Sequence, residues 1–107
     1  MEMDVAIARI KLRGRLDSHG VDKIETKFTA WVVPPRRTAL VDLSEVSLVT
    51  SMGFRMFITV ARALNRHNAK MILFAPQPQV SDLIASARLN DIVSVVPDES
   101  EALRAVT

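Results

Sequence analysis

The chain contains no cysteine, which excludes a disulfide framework and any thiolate metal site. Only two histidines occur, His19 and His67, and neither stands at helical or hairpin spacing from a second ligand. No metal centre is expected. The three glycines, Gly14, Gly20 and Gly53, do not form a phosphate-cradling loop, and no cofactor is expected. Tyrosine is absent and aromatics make up 5% of the residues, too few to interleave with basic side chains as a platform for bases. With a net charge of only +2, nucleic acid is not an expected partner. No apolar run reaches the roughly 18 residues of a membrane span and no signal-peptide pattern appears, so no membrane insertion and a cytoplasmic location are expected.

Enzyme chemistry lacks its parts as well. Ser51 stands after an apolar run and before a helical pattern, superficially like a nucleophile elbow. The first glycine of G-x-S-x-G is missing, and neither histidine offers an evident general base. The carboxylates are spread over caps and loops; Asp17 with Asp42 could meet at one end of the sheet, but helix capping accounts for Asp17. No catalytic residue is assigned and the chain is not expected to be an enzyme.

What is present is a balanced globular composition. Hydrophobic residues make up 49% and charged residues 24% of 107 positions, which supports one domain spanning residues 1–107 with a core built from Ala, Val, Ile and Leu. Residues 5–13 read as a first strand with Ala6, Ala8, Ile10 and Leu12 inward and Gly14 as its end. The alternating Arg9, Lys11, Arg13 and Arg15 form a basic face on it, either solvated and discouraging edge-to-edge pairing or docking an acidic partner. Asp17 suits a helix cap. Val21, Ile24, Phe28 and Trp31 or Val32 then make one apolar stripe, ended by Pro34-Pro35.

Ala39–Leu43 reads as a second strand, followed by a polar connection to Thr50-Ser51. A helix from Ser51 to Arg66 presents Met52, Met56, Phe57, Val60, Ala61 and Leu64 on one side and Arg55, Arg62, Asn65 and Arg66 on the other. Ala69–Ala75 is a strand buried on both faces. Pro78 opens a third helix with Val80, Leu83, Ile84 and Ala87 inward. Ile92–Val96 is a final buried strand, and Asp98 with Glu101 opens a last helix that buries Ala102, Leu103 and Val106. Strands alternating with helices predict an α/β fold around a mostly parallel central sheet.

Within that plan the strand-to-helix junction at Thr50-Ser51 concentrates chemistry. A hydroxyl there is explained in its simplest form by helix capping. Gly53 adds a bare stretch of backbone that another molecule could approach. The free N–H groups of a helix start also tolerate a phosphate, and phosphoserine brings about −1.5 to −2 charge, enough to end a docking interaction.

The segments G-R-L-D at Gly14–Asp17, V-D-L-S-E-V at Val41–Val46, T-S-M-G at Thr50–Gly53 and P-Q-V at Pro78–Val80 together resemble the STAS domain of bacterial anti-sigma factor antagonists. The resemblance covers nearly the whole chain and implies the STAS-like fold. It implies a non-catalytic regulatory module in transcription signalling, with an anti-sigma factor that is also a serine kinase as partner. The family's switch motif reads Asp-Ser-Ser/Thr-Gly. Its phosphorylated serine falls on Ser51, and its G-x-L-D aspartate on Asp17. The resemblance thus puts the phosphorylation site at Ser51 and the partner-binding surface at Asp17, Thr50, Ser51, Met52, Gly53 and Arg55.

Thr50 stands where the motif has aspartate, and Met52 where it has a second hydroxyl. These departures keep a second reading open. Small STAS proteins of lipid-transport ABC systems also resemble this chain, and dock a transporter ATPase subunit as non-catalytic components. A scaffold-type STAS protein of a larger stress-sensing assembly is a third.

Overall fold

A computed structural model describes residues 7–34 and 37–106. Among these residues four parallel strands lie in the order β1-β2-β3-β4: β1 Ala8–Leu16, β2 Ala39–Val49, β3 Met71–Phe74 and β4 Ser94–Val96. The helices between them are α1 Ser18–Val32, α2 Ser51–Asn65 and α3 Pro78–Ser86. A 3-10 turn at Leu89–Asp91 precedes β4, and α4 Glu99–Val106 follows it. The expected α/β fold with a parallel sheet is what the chain forms.

The core divides along the sheet. On one face, Val21, Phe28 and Val32 of α1, Met56, Phe57, Val60, Ala61 and Leu64 of α2, and Val80 and Ile84 of α3 pack on Leu12, Val41, Leu43 and Leu73. The Phe28 and Phe57 rings meet edge to face, 6.1 Å between centroids at 77°, joining α1 to α2 in a favoured aromatic geometry. Each fully buried side chain of this size contributes about 1.5–3 kcal/mol, so the apolar stripe of α2 alone anchors it firmly. On the other face α4 brings Ala102 against Leu40, Ile72 and Phe74. That cover lies over the β3 side, and the basic row of β1 lies on the same face in the open.

β1 does not end at Gly14. It runs on to Leu16, with Gly14 at φ +82°, a left-handed conformation that glycine adopts without steric cost. β2 likewise continues through the segment expected to be a polar connection, as far as Val49. The pairing slips twice, between Lys11 and Arg13 and between Gly14 and Arg15, each time giving β2 one extra residue. Such bulges twist and bend the strand. They also spread the buried positions of β2 to Val41, Leu43, Val46 and Val49, a spacing that drifts from two to three.

Smaller corrections follow the same logic. Val32, not Trp31, completes the stripe of α1; Trp31 is 66% exposed. β3 is the four residues Met71–Phe74, all buried. The last strand begins at Ser94, and Ile92 is exposed beside the 3-10 turn. In α4, Asp98 accepts the Glu101 N–H at 2.9 Å as expected of a cap, but Leu103 points outward. Ala6 and Pro35 lie outside the described residues. Asp17 and Asp42 do not meet: Asp42 pairs in register with Lys11, six residues before Asp17 on a parallel strand, roughly 20 Å at the usual strand rise.

Candidate functional site

β1 and β2 continue side by side after β3 and β4 have stopped; β3 and β4 last pair at the level of Asp42, through Phe74 and Val96. The extension ends with Leu16 opposite Val49. The next residues after the two strands are therefore Asp17 and Thr50, the caps of α1 and α2. Two helix entrances stand next to each other at the carboxyl ends of parallel strands, where open α/β sheets ordinarily bind their ligands.

The seam is tied by one carbonyl. Leu16 O accepts the Thr50 N–H at 3.1 Å and the Thr50 hydroxyl at 3.2 Å. Thr50 has the extended backbone of a cap, yet it makes no side-chain cap to α2. The expected capping role of its hydroxyl is replaced by a bond across to β1. The first helical bond of α2 runs from the Phe54 N–H to Thr50 O at 3.1 Å. The N–H groups of Ser51, Met52 and Gly53 precede it and have no acceptor one turn back.

Asp17 behaves as the sequence suggests. Its Oδ1 accepts the Gly20 N–H at 2.9 Å, and its Oδ2 lies 3.4 Å from Arg15 Nε. The backbone hydrogen bond first, and the neighbouring Arg15 charge with it, hold its carboxyl below the usual range against a smaller opposing effect of desolvation.

The candidate residues separate by exposure. Ser51 is exposed as the first residue of α2, and Arg55 is exposed one turn further on the same side. Met52 is half-buried and packs against the main core. Gly53 is buried, and a Cβ there would stand 2.8 Å from Val49 Cγ1 and 2.9 Å from Leu16 O. The bare backbone at Gly53 is thus approached by the protein's own strand end, which corrects its expected role as an opening for another molecule. Asp17, Thr50 and Ser51 come together, Arg55 flanks them, and Met52 and Gly53 support from beneath.

Gly20 also belongs to this corner, a residue that the sequence reading missed. A Cβ on it would overlap the carbonyl oxygen of Arg15. The signal was present: Asp17-Ser18-His19-Gly20 and Thr50-Ser51-Met52-Gly53 share the arrangement cap-Ser-x-Gly. In both, the glycine is the third helical residue and faces the end of β1.

The basic row of β1 is largely answered by acids. Lys11 Nζ is 3.0 Å from Glu45 and 3.9 Å from Asp42, Arg13 Nε is 3.4 Å from Glu45, and Arg9 pairs with Glu99. The hydrogen bond from Lys11, then the Lys11 and Arg13 charges, lower the Glu45 pKa. Such exposed pairs contribute little stability each. Among the described residues no cluster of His, Asp and Glu could hold a metal ion, and no helix is long and apolar enough to cross a membrane.

This geometry is that of a STAS domain, and the sequence agrees: residues 3–102 match the STAS domain family. The chain belongs to that family. Among characterised proteins it is similar to the anti-sigma-B factor antagonist of Listeria monocytogenes, 24% identical over 100 residues, covering 94% of this chain and 88% of that one. The anti-sigma-B factor antagonist of Staphylococcus aureus is 26% identical over 86 residues, covering 80% of each. Among solved structures, the anti-sigma factor antagonist SpoIIAA in its unphosphorylated form superposes with a TM-score of 0.71 at 23% identity, over 97% of this chain and 92% of that one. Its phosphorylated form, from Bacillus, gives 0.67 at 22%, over 100% and 96%.

Proposed function

We propose that this protein is an anti-sigma factor antagonist: a non-catalytic regulatory module that docks an anti-sigma factor through the corner formed by Asp17, Thr50, Ser51 and the exposed side of α2. Phosphorylation of Ser51 by that partner, acting as a serine kinase, ends the interaction. The observation that carries the reading is the exposed Ser51 at a helix entrance whose own cap is turned away. A phosphate there gains from the uncapped N–H groups and the helix dipole. It also places about −1.5 to −2 charge beside the Asp17 carboxylate, changing the docking surface without disturbing the core below. The names of the relatives in Listeria and Staphylococcus support the same reading.

Incubation with ATP and the cognate anti-sigma kinase, followed by mass spectrometry, is expected to find one phosphate, on Ser51, and none on Ser51→Ala. Ser51→Asp is expected to weaken partner binding at least about tenfold, or about 1.4 kcal/mol, with the thermal midpoint nearly unchanged. Equal binding by wild type and Ser51→Asp would sink the switch.

One observation favours a second reading. The Thr50 hydroxyl is committed to Leu16 O and Met52 is turned toward the core, so neither supplies the polar neighbour that the phosphorylated motif has. A STAS subunit docking a transporter ATPase has no need of that neighbour. Co-purification with an ATPase and its permease, in place of a kinase, decides for it.

A further inference from the structure

The basic residues of β1 each face an acid, from Arg9 with Glu99 to Arg15 with Asp17. The arginines of α2 do not. Arg55, Arg62 and Arg66 are exposed, and α2 itself contains no acidic residue. Among the described residues no ion pair reaches any of the three. Ser51, Arg55, Arg62 and Arg66 follow one another at intervals of four, seven and four residues, so all share one side of the helix.

Two of these arginines have a structural account. Arg62 stands in the last turn of α2 and Arg66 at its C-cap, where the helix dipole favours a cation. Arg55 is placed the other way round. It is the fifth residue of α2, one turn from the positive end, where the dipole gives a cation no gain. What stands one turn before it on the same side is Ser51.

We propose that Arg55 is the group on which the switch at Ser51 acts, an inference that rests on the reading of Ser51 given above. With Ser51 unmodified, the Arg55 guanidinium is free to donate to a carboxylate of the docked partner. With a phosphate on Ser51, the phosphate takes that guanidinium for itself, and the partner loses the contact. Side chains four residues apart on a helix have Cβ atoms about 5–6 Å from one another, within the span of a phosphoserine and an arginine. Anion first and cation one turn later is the favourable order for such a pair. Guanidinium and phosphate also join through two parallel N–H···O bonds. The Asp17 carboxylate at the neighbouring entrance repels a phosphate, but it is already held by the Gly20 N–H and by Arg15. His19, exposed at that entrance, adds positive charge when protonated. Arg62 lies two turns beyond Arg55, about 10 Å along the axis, and serves as the comparison.

The test uses the full chain with phosphoserine installed at position 51 by chemical ligation, so that no kinase is required. Phosphorus NMR follows the second ionisation of the phosphate, which lies at about 6 when unperturbed. In the otherwise unsubstituted chain it is expected at least about half a unit below its value in Arg55→Gln, and high salt is expected to shrink the difference. Arg62→Gln is expected to titrate as the unsubstituted chain does. Both arginines are exposed, so neither change touches the core. Without phosphate, Arg55→Gln is expected to weaken binding of the anti-sigma factor up to about fivefold. In that background phosphorylation of Ser51 is expected to cost less binding than in the unsubstituted chain. Equal titration with and without Arg55 overturns the proposal. So does a shift in Arg62→Gln as large as that in Arg55→Gln, which assigns the effect to the general field of the helix. Undiminished binding by unphosphorylated Arg55→Gln overturns the exchange of Arg55 between partner and phosphate. An anti-sigma factor that ignores the unmodified chain overturns the reading of Ser51 and that exchange with it, whereas the titration still decides the pair.

Discussion

At the start of α1, Asp17 turns its carboxylate onto the Gly20 N–H; at the start of α2, Thr50 turns its hydroxyl away, onto Leu16 O. The two caps have almost the same backbone, φ −95° and ψ −173° for Asp17 against φ −99° and ψ −177° for Thr50. Both are followed by Ser-x-Gly, and both glycines are closed in by the end of β1. What differs is where one polar side chain goes. The α1 entrance has the N–H of its third residue, Gly20, satisfied by its own cap side chain. The α2 entrance uses its polar residue to hold two strand ends together, and leaves its first N–H groups without a side-chain cap and Ser51 exposed. Two entrances built on one plan thus divide between closing the structure and presenting a surface.

The largest effects expected from breaking this plan are at the two glycines. Gly53→Ala drives a Cβ against Val49 and the Leu16 carbonyl, and is expected to cost about 1–3 kcal/mol in chemical denaturation, as overpacking does. Gly20→Ala meets the Arg15 carbonyl, a backbone atom that cannot step aside, and is expected at or above the top of that range. If either variant proves as stable as the unsubstituted chain, the close approach is not what selects glycine there.

Removing the caps sharpens the contrast. Asp17→Ala is expected to lose about 1 kcal/mol, and Asp17→Asn distinctly less, because an amide oxygen still accepts the Gly20 N–H. Thr50→Val removes only the hydroxyl bond to Leu16 O, which keeps the Thr50 N–H. It is expected to cost at most about 1 kcal/mol. A larger loss for Thr50→Val than for Asp17→Ala would reverse the assignment of which entrance is closed by its side chain.

Acid separates the two entrances with the smallest effect. The Asp17 pKa is lowered on folding, so the unfolded chain takes up the proton first. Its contribution is complete at neutral pH, begins to fall as the pH approaches about 4, and is lost once the pH has passed below the folded-state value. Glu45 acts in the same direction. Thr50 does not titrate. Denaturation midpoints measured from pH 7 to pH 3 are therefore expected to drop less in Asp17→Asn than in the unsubstituted protein. Parallel curves would mean that the carboxylate charge at Asp17 adds nothing beyond its geometry.

The alternation of elements was open to sequence reading because each helix carries a stripe at 3.6-residue spacing and each stop carries a signal. Asp17, Pro34 and Pro78 all stand where their chemistry suggests. The second half of β2 was not readable, because its bulges set the buried positions Leu43, Val46 and Val49 three residues apart. That rhythm fits neither a regular strand nor a helix. The choice between Trp31 and Val32 turned on a rotation of α1 that only its contact with β1 sets. At the candidate site, exposure of Ser51 followed from its place before an amphipathic helix. The burial of Gly53 did not, since the atoms that close it in belong to Leu16, far back in the chain, as well as to its own strand.

Local chemistry by itself determined that this chain forms an α/β domain, that a helix begins at Ser51 beside a hydroxyl and a glycine, and that thiolate chemistry is absent. Those properties depend on residues within a turn or two of one another. Tertiary structure alone decided that the Asp17 and Thr50 entrances are neighbours, that the Thr50 hydroxyl serves β1 and not α2, and that Gly53 faces inward. Each of these depends on the register that puts Leu16 opposite Val49, a relation between distant parts of the chain that no local pattern encodes.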